Sequence, residues 1–215
     1  MVWKAVLNAR HGLVLLALAA FGAAPAAAQR EIVTDEAYVH DPAHAVFPVR
    51  VGEFQRSDIF QYDKGGRDVS ASYERTTSNG RLLVTVYIYP AAPAASAAAR
   101  DRACDEEFDA VNAAISSQHD DAAPLPHSPA LAVPGSAPDL RHRSIYRFRS
   151  PFGDRVQEIR SEAHLYCYVG GDWLVKYRAT SHGGFDAGRD VEEFIRSGPW
   201  PGRPAPPAPG DNASP

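Results

Sequence analysis

A-H-L-Y-C-Y-V-G-G-D-W-L-V-K-Y-R-A-T, residues 163–180, is the stretch whose reading decides the fold. Ala163, Leu165, Cys167 and Val169 alternate with His164, Tyr166 and Tyr168. Beyond Gly170-Gly171-Asp172, Trp173, Val175, Tyr177 and Ala179 alternate with Leu174, Lys176, Arg178 and Thr180. A period of two sends each set to its own face of a sheet, and the glycines supply the positive φ of a short hairpin turn. One face is apolar and needs a cover; the other mixes aromatics, a histidine and two cations.

Upstream, 54–62, 68–75 and 82–89 read as strands. Asp63-Lys64-Gly65-Gly66 and Ser78-Asn79-Gly80-Arg81 supply turn chemistry between them, the second with the Asn-Gly signal of a two-residue hairpin. Ser96 is placed to cap a helix running to Gln118, with Cys104, Phe108, Val111 and Ile115 in one stripe. Residues 120–141 are rich in Pro, Ala and Ser and read as a surface loop. Strands follow at 143–149 and 155–169, the latter with a bulge expected near 158–161. A last helix over 187–196 buries Val191, Phe194 and Ile195. The expectation is an α+β domain with an antiparallel sheet in the order βββ-α-βββ-α, the helices packed on one sheet face.

The ends read differently. Lys4 and Arg10 precede an apolar run at 12–21, and Ala26-Ala27-Ala28 fits a small-x-small cleavage site, so 1–28 reads as a cleaved signal peptide. The domain organisation then has an irregular arm at 29–48, one α+β domain at 49–200, and a Pro-rich tail at 201–215 that composition marks as disordered. No later stretch is apolar enough to cross a membrane. The Ala- and Arg-rich composition suits a bacterium, which makes the mature chain periplasmic or secreted. Signal removal takes two cations and no acid, turning a net charge of −4 into −6. That charge argues against nucleic acid as a partner. The two cysteines, Cys104 and Cys167, permit one disulfide in an oxidising compartment; two separately buried thiols are the alternative.

The pattern resembles the PsbP-like α/β/α-sandwich group of small extracytoplasmic bacterial proteins. The resemblance rests on F-Q-R-S-D-I-F-Q-Y at 54–62, L-V-T-V-Y-I-Y-P ending at Pro90, the amphipathic helix after it, and G-D-W-L-V-K-Y-R-A-T at 171–180 before a closing helix. It covers 49–200 and implies a fold, with accessory and lipoprotein members and no shared catalytic motif. This chain lacks the lipobox cysteine of the lipoproteins.

No G-x-S-x-G, P-loop, G-x-G-x-x-G, H-E-x-x-H or C-x-x-C occurs. His40 and His44 flank Pro42, and His119, Asp120, Asp121 and His127 have no recognised ligand spacing, so neither metal nor cofactor is expected. The constellation that remains is the polar sheet face: Tyr87, Tyr89, His164, Tyr166, Tyr168, Lys176 and Arg178. Aromatic bodies with cationic tips suit a partner protein, peptide or small ligand. The functional expectation is a non-catalytic accessory or binding module. The alternatives are a secreted hydrolase built on His142, His164 or His182, and an envelope immunity or inhibitor protein.

Overall fold

The computed structural model describes residues 29–78, 80–133 and 136–203; the expected signal peptide and all but the first residues of the Pro-rich tail lie outside them. Eleven strands and two α-helices follow in chain order: β1 Arg30–Glu31, β2 Tyr38–His40, β3 Ala45–Phe47, β4 Arg50–Val51, β5 Phe54–Gln61, β6 Val69–Thr77, β7 Gly80–Pro90, α1 Ala97–Gln118, β8 Ala123–Pro124, β9 Arg141–Phe152, β10 Arg155–Val169, β11 Trp173–His182 and α2 Gly188–Ser197. The expected βββ-α-βββ-α order is therefore too simple. The six long strands and both helices are present, with short strands added in the arm and in the loop after α1.

Nine strands form one antiparallel sheet, ordered β1-β5-β6-β7-β11-β10-β9-β8 with β4 also on β5. β2 and β3 pair separately. Two meanders, β5–β7 and β9–β11, meet at the antiparallel pair β7·β11, where Val175 faces Ile88. The 163–180 hairpin thus lies at the centre of the sheet.

One sheet face, here the inner face, carries Val69, Ala71, Tyr73, Val84, Val86, Ile88, Val175 and Tyr177 in the main apolar core. α2 covers it over β5–β7 and β11: the Phe194 ring lies 4.8 Å from Phe54, 5.1 Å from Tyr73 and 6.2 Å from Tyr177. Trp200 packs at 4.9 Å from Tyr166. Tyrosine hydroxyls buried here need acceptors. Tyr73 donates to Pro48 O, Tyr166 to Leu131 O and Tyr177 to Pro199 O, at 2.9, 3.1 and 2.8 Å. Each bond fastens a different covering segment.

α1 lies on the other face, over β9–β11. Ser96 caps it, accepting from Ala99 N at 3.2 Å. Its stripe delivers Cys104 to Cys167 and Ile115 to Phe148 and Ile159. The helices therefore sit on opposite faces, not on one as the sequence suggested, and the layers run helix, sheet, helix. A two-fold axis relating antiparallel β7 to β11 would leave both helices on one face. The two βββα halves are consequently not symmetry copies.

Cys104 and Cys167 are bonded, with Cα atoms 5.9 Å apart across a sequence separation of 63 residues. Closing a loop of that length restricts the unfolded chain by about 4 kcal/mol in the entropic account. The Cys104→Ser/Cys167→Ser variant should lose about that much unfolding free energy in urea, with the urea dependence raised as the unfolded chain expands. A loss under about 1 kcal/mol would show that α1 is held by packing alone.

Candidate functional site

The seven residues expected on one polar face are divided by a single extra residue. Across the Gly170–Asp172 loop, Val169 pairs with Trp173. An uninterrupted ladder would next set Tyr166 against Lys176 and His164 against Arg178. Instead Tyr166 pairs with Val175, Leu165 with Lys176 and His164 with Tyr177. The register shifts between Tyr166 and Val169, a bulge that holds Tyr168 at φ 55°. A one-residue slip reverses every side chain behind it. The expected bulge at 158–161 is absent: 158–161 pairs continuously with β9, and 159–161 with β11.

Tyr87, Tyr89, Lys176 and Arg178 are thus together on the α1 face. Lys176 pairs across the strands with Tyr87, and Arg178 with Thr85. The Lys176 ammonium stands 4.4 Å from the Tyr87 ring centroid and 5.5 Å from that of Tyr89, within cation–π range. Tyr89 donates to Glu107 Oε1 of α1 at 2.7 Å, so the acidic run 105–107 is not wholly solvated. Burial, then the Glu107 hydrogen bond, drives the Tyr89 phenol up. Burial lowers Lys176, opposed by the charge of Glu107. Tyr168 bonds Ala92 O at 3.0 Å and carries Arg100 over its ring at 5.2 Å, at the far end of the same face.

His164 and Tyr166 are corrections. Both point to the inner face and are fully buried. Leu165 moves the other way: it lies under α1 with Cys167, not with Val86 and Val175.

α1 leaves the α1 face uncovered over β5, β6 and the part of β7 before Tyr89. That open half presents Phe60, Tyr62, Ser72, Thr85 and Tyr87, all half-buried, with Arg178 beside them. Tyr62 bonds Ser70 at 3.0 Å and Ser72 bonds Thr85 at 3.1 Å. Arg178 has no hydrogen-bond or ion-pair partner among the described residues.

A group not singled out from the sequence lies on the inner face of β9 and β10. Glu162, 2 % exposed, accepts from Arg143 Nη2 at 2.8 Å and from Arg160 Nε at 3.0 Å. His164 Nε2 lies 3.4 Å from the same carboxylate. Burial alone would raise the Glu162 carboxyl. The hydrogen bonds from His164 and Arg143, with the charges of Arg143 and Arg160, outweigh it and bring the carboxyl to about 2. Burial lowers the His164 imidazole, against the pull of Glu162. His164 is therefore the neutral tautomer with Nε2–H toward Glu162, and its buried Nδ1 lacks a partner. Glu, Arg, Arg and His at alternating strand positions were the available signal, but only the register could say which face they occupied.

Two clefts flank these surfaces. One, of about 360 Å³, separates the β4–β5 turn from α2; Arg75 crosses it to Glu53 at 2.5 Å and Asp190 at 2.7 Å. The other, of about 310 Å³, is lined by Arg67, Arg100, Tyr168, Asp172 and the 90–94 segment. Among the described residues no group of three His, Cys, Asp or Glu is placed to hold a metal ion. His40 is buried against Trp173 and bonded to Gly66 O at 2.8 Å, while His44 is exposed. Of the histidines named for hydrolysis, His142 stacks on Phe108 at 4.8 Å with Asp105 3.4 Å away, and His164 is sealed from solvent. His182 stacks on Phe185 at 5.8 Å. No family model, curated protein or solved structure matches the chain.

Because the folded pKa of Glu162 is depressed, its stabilisation is present above the unfolded value near 4.5 and is lost as pH falls toward 2. Urea unfolding between pH 5 and pH 2, roughly that window, should show a steep decline for the native chain and a flatter one for Glu162→Gln. At neutral pH the variant should be less stable by about 3–5 kcal/mol, because two guanidiniums lose a buried partner. Parallel pH profiles would show that the carboxylate contributes nothing there.

Proposed function

We propose that this chain is a non-catalytic, extracytoplasmic binding or accessory module, whose partner docks on the open half of the α1 face. The observation that carries the reading is the incomplete cover. α1 is tied by its disulfide over β9–β11, and a surface of aromatic, hydroxyl and cationic side chains remains free over β5–β7. Tyr87 offers rigid contact area, Ser72 and Thr85 offer paired hydroxyls, and Arg178 offers an uncommitted guanidinium. A sheet face fits a protein or peptide better than a small ligand, which prefers a concave pocket.

Several features support the compartment. The Cys104–Cys167 bond suits an oxidising environment, and 1–28 has the pattern of a secretory signal. Among the described residues no helix is long and apolar enough to cross a membrane. The PsbP-like reading is retained as part of this proposal, supported by helices on opposite sheet faces. An inhibitor or immunity role is the same reading with a protein target.

The test places a photoreactive residue at Thr85, in the open face, and another at Glu106, on the solvent side of α1, in cells that produce the protein. A discrete cross-linked product is expected from position 85 and not from 106, and it should disappear when Arg178→Glu is added. Equal labelling at both positions, or a product indifferent to R178E, would remove this face as the site.

A further inference from the structure

β9 begins R-H-R-S-I-Y-R-F-R, residues 141–149. Alternate positions share a face, so Arg141, Arg143, Arg147 and Arg149 all project to the inner side with Ile145. Their cross-strand partners on β10 are Tyr166, His164, Arg160 and Glu158. α2 packs farther along the sheet, on Phe54, Tyr73 and Tyr177; at the near end of the row Arg143 and Ile145 are nonetheless largely buried. Arg147 and Arg149 are exposed.

Part of this arrangement works against the fold. Arg147 lies directly opposite Arg160, and like charges in a cross-strand pair destabilise a sheet. Five arginines face two glutamates on these strands, and Asp121, just before β8, accepts from the Arg149 backbone N–H at 2.9 Å. Glu162 is committed to Arg143 and Arg160. Glu158 reaches only Arg147, at 3.7 Å, with both side chains about half exposed. Arg141 and Arg149 have no side-chain hydrogen-bond or ion-pair partner among the described residues. Arg143 Nε is buried and unpartnered, with 9 % of that side chain exposed. In a chain of net charge −4, this is a local cationic surplus with donors to spare.

We propose that this arginine row binds an acidic, extended peptide segment of a partner protein, a second surface distinct from the open α1 face. Alternate residues of a strand repeat at about 6.6–6.8 Å, and so do carboxylates on alternate residues of an extended peptide. The exposed guanidiniums of Arg147 and Arg149 can each take a carboxylate bidentately. Arg143 and Arg160, already fixed by Glu162, add field at no cost in side-chain ordering. A short segment senses only this patch, because screening at about 0.1 M salt limits reach to about 10 Å. A long polyanion would also meet the acidic remainder of the surface, which disfavours nucleic acid and polyphosphate.

The experiment is fluorescence anisotropy on the full mature chain, with a labelled peptide of roughly twelve residues in which Glu alternates with Thr. Saturable binding is expected, weakened about tenfold or more by Arg147→Glu/Arg149→Glu and unchanged by Arg102→Glu on the exposed side of α1. Arg149→Ala alone should weaken it several-fold, and this keeps the test decisive should the double variant misfold. Salt on the order of 0.5 M should remove the binding. Absence of saturable binding, equal affinity in the Arg149→Ala variant, or tighter binding of polyphosphate or single-stranded DNA than of the peptide at matched charge would each overturn the proposal.

Discussion

The architecture depends on one extra residue in β10. The bulge between Tyr166 and Val169 shifts the ladder by one, and all of β10 behind it presents the opposite faces to those a plain hairpin would give. With the shift, Leu165 and Cys167 meet α1 and the disulfide forms; Glu162, His164 and Tyr166 turn to the inner face. Without it, the charged group would be pressed toward the apolar stripe of α1 and Cys167 would turn from Cys104. A sheet buried on both sides penalises such a slip heavily, since every side chain changes environment at once. The cost of seating Tyr168 at positive φ, of order 1–2 kcal/mol, is small beside that.

Two helices cannot cover a nine-stranded sheet, and the way they fail to do so creates the surfaces. α1 takes the β9–β11 half of one face and α2 the β5–β7 and β11 part of the other. The uncovered quadrants are diagonal to each other and chemically unlike. One is aromatic and hydroxylic with Arg178; the other carries Arg147 and Arg149, where the arginine row of β9 emerges from cover. The inner-face cover is completed by segments without regular structure, which buried tyrosine hydroxyls hold by their carbonyls at Pro48, Leu131 and Pro199. Irregular chain has unpaired backbone acceptors to offer, so a buried Tyr and a loop satisfy each other where a helix could not.

Much of the layout was legible because it rests on local periodicity. Alternation placed β5 to β7 and β9 to β11 nearly at their observed bounds, and the Ser96 cap and the Cys104–Ile115 stripe located α1. A bond between the cysteines was one of two readings the sequence left open; the structure brings the helix stripe and the strand together to form it. What escaped was relational. No residue type between Tyr166 and Val169 announces a bulge, for glycine is the usual occupant of a positive-φ position and the chain puts Tyr168 there. The site residues were therefore gathered by parity across a shift that parity cannot see: Tyr87, Tyr89, Lys176 and Arg178 stayed together, while His164 and Tyr166 separated from them. The arm at 29–48 forms β1, β2 and β3 by pairing with strands elsewhere or with each other, a contribution its own weak periodicity does not encode.

The buried carboxylate links these levels. A buried ion pair is seldom a net stabiliser, since desolvation consumes most of the attraction. Glu162 is nonetheless fully engaged, one oxygen to Arg160 and the other to Arg143 and His164. Arg143 belongs to β9, while Glu162, Arg160 and His164 belong to β10, so the group fastens the two strands in one register. β9 is nearly an edge strand, with only the two residues of β8 beyond it, and edge strands are where register is most easily lost. The charge that is costly to bury thus holds in line the strand that displays the arginine row, and the exposed Arg147 and Arg149 keep their place because Arg143, earlier on the same strand, is pinned.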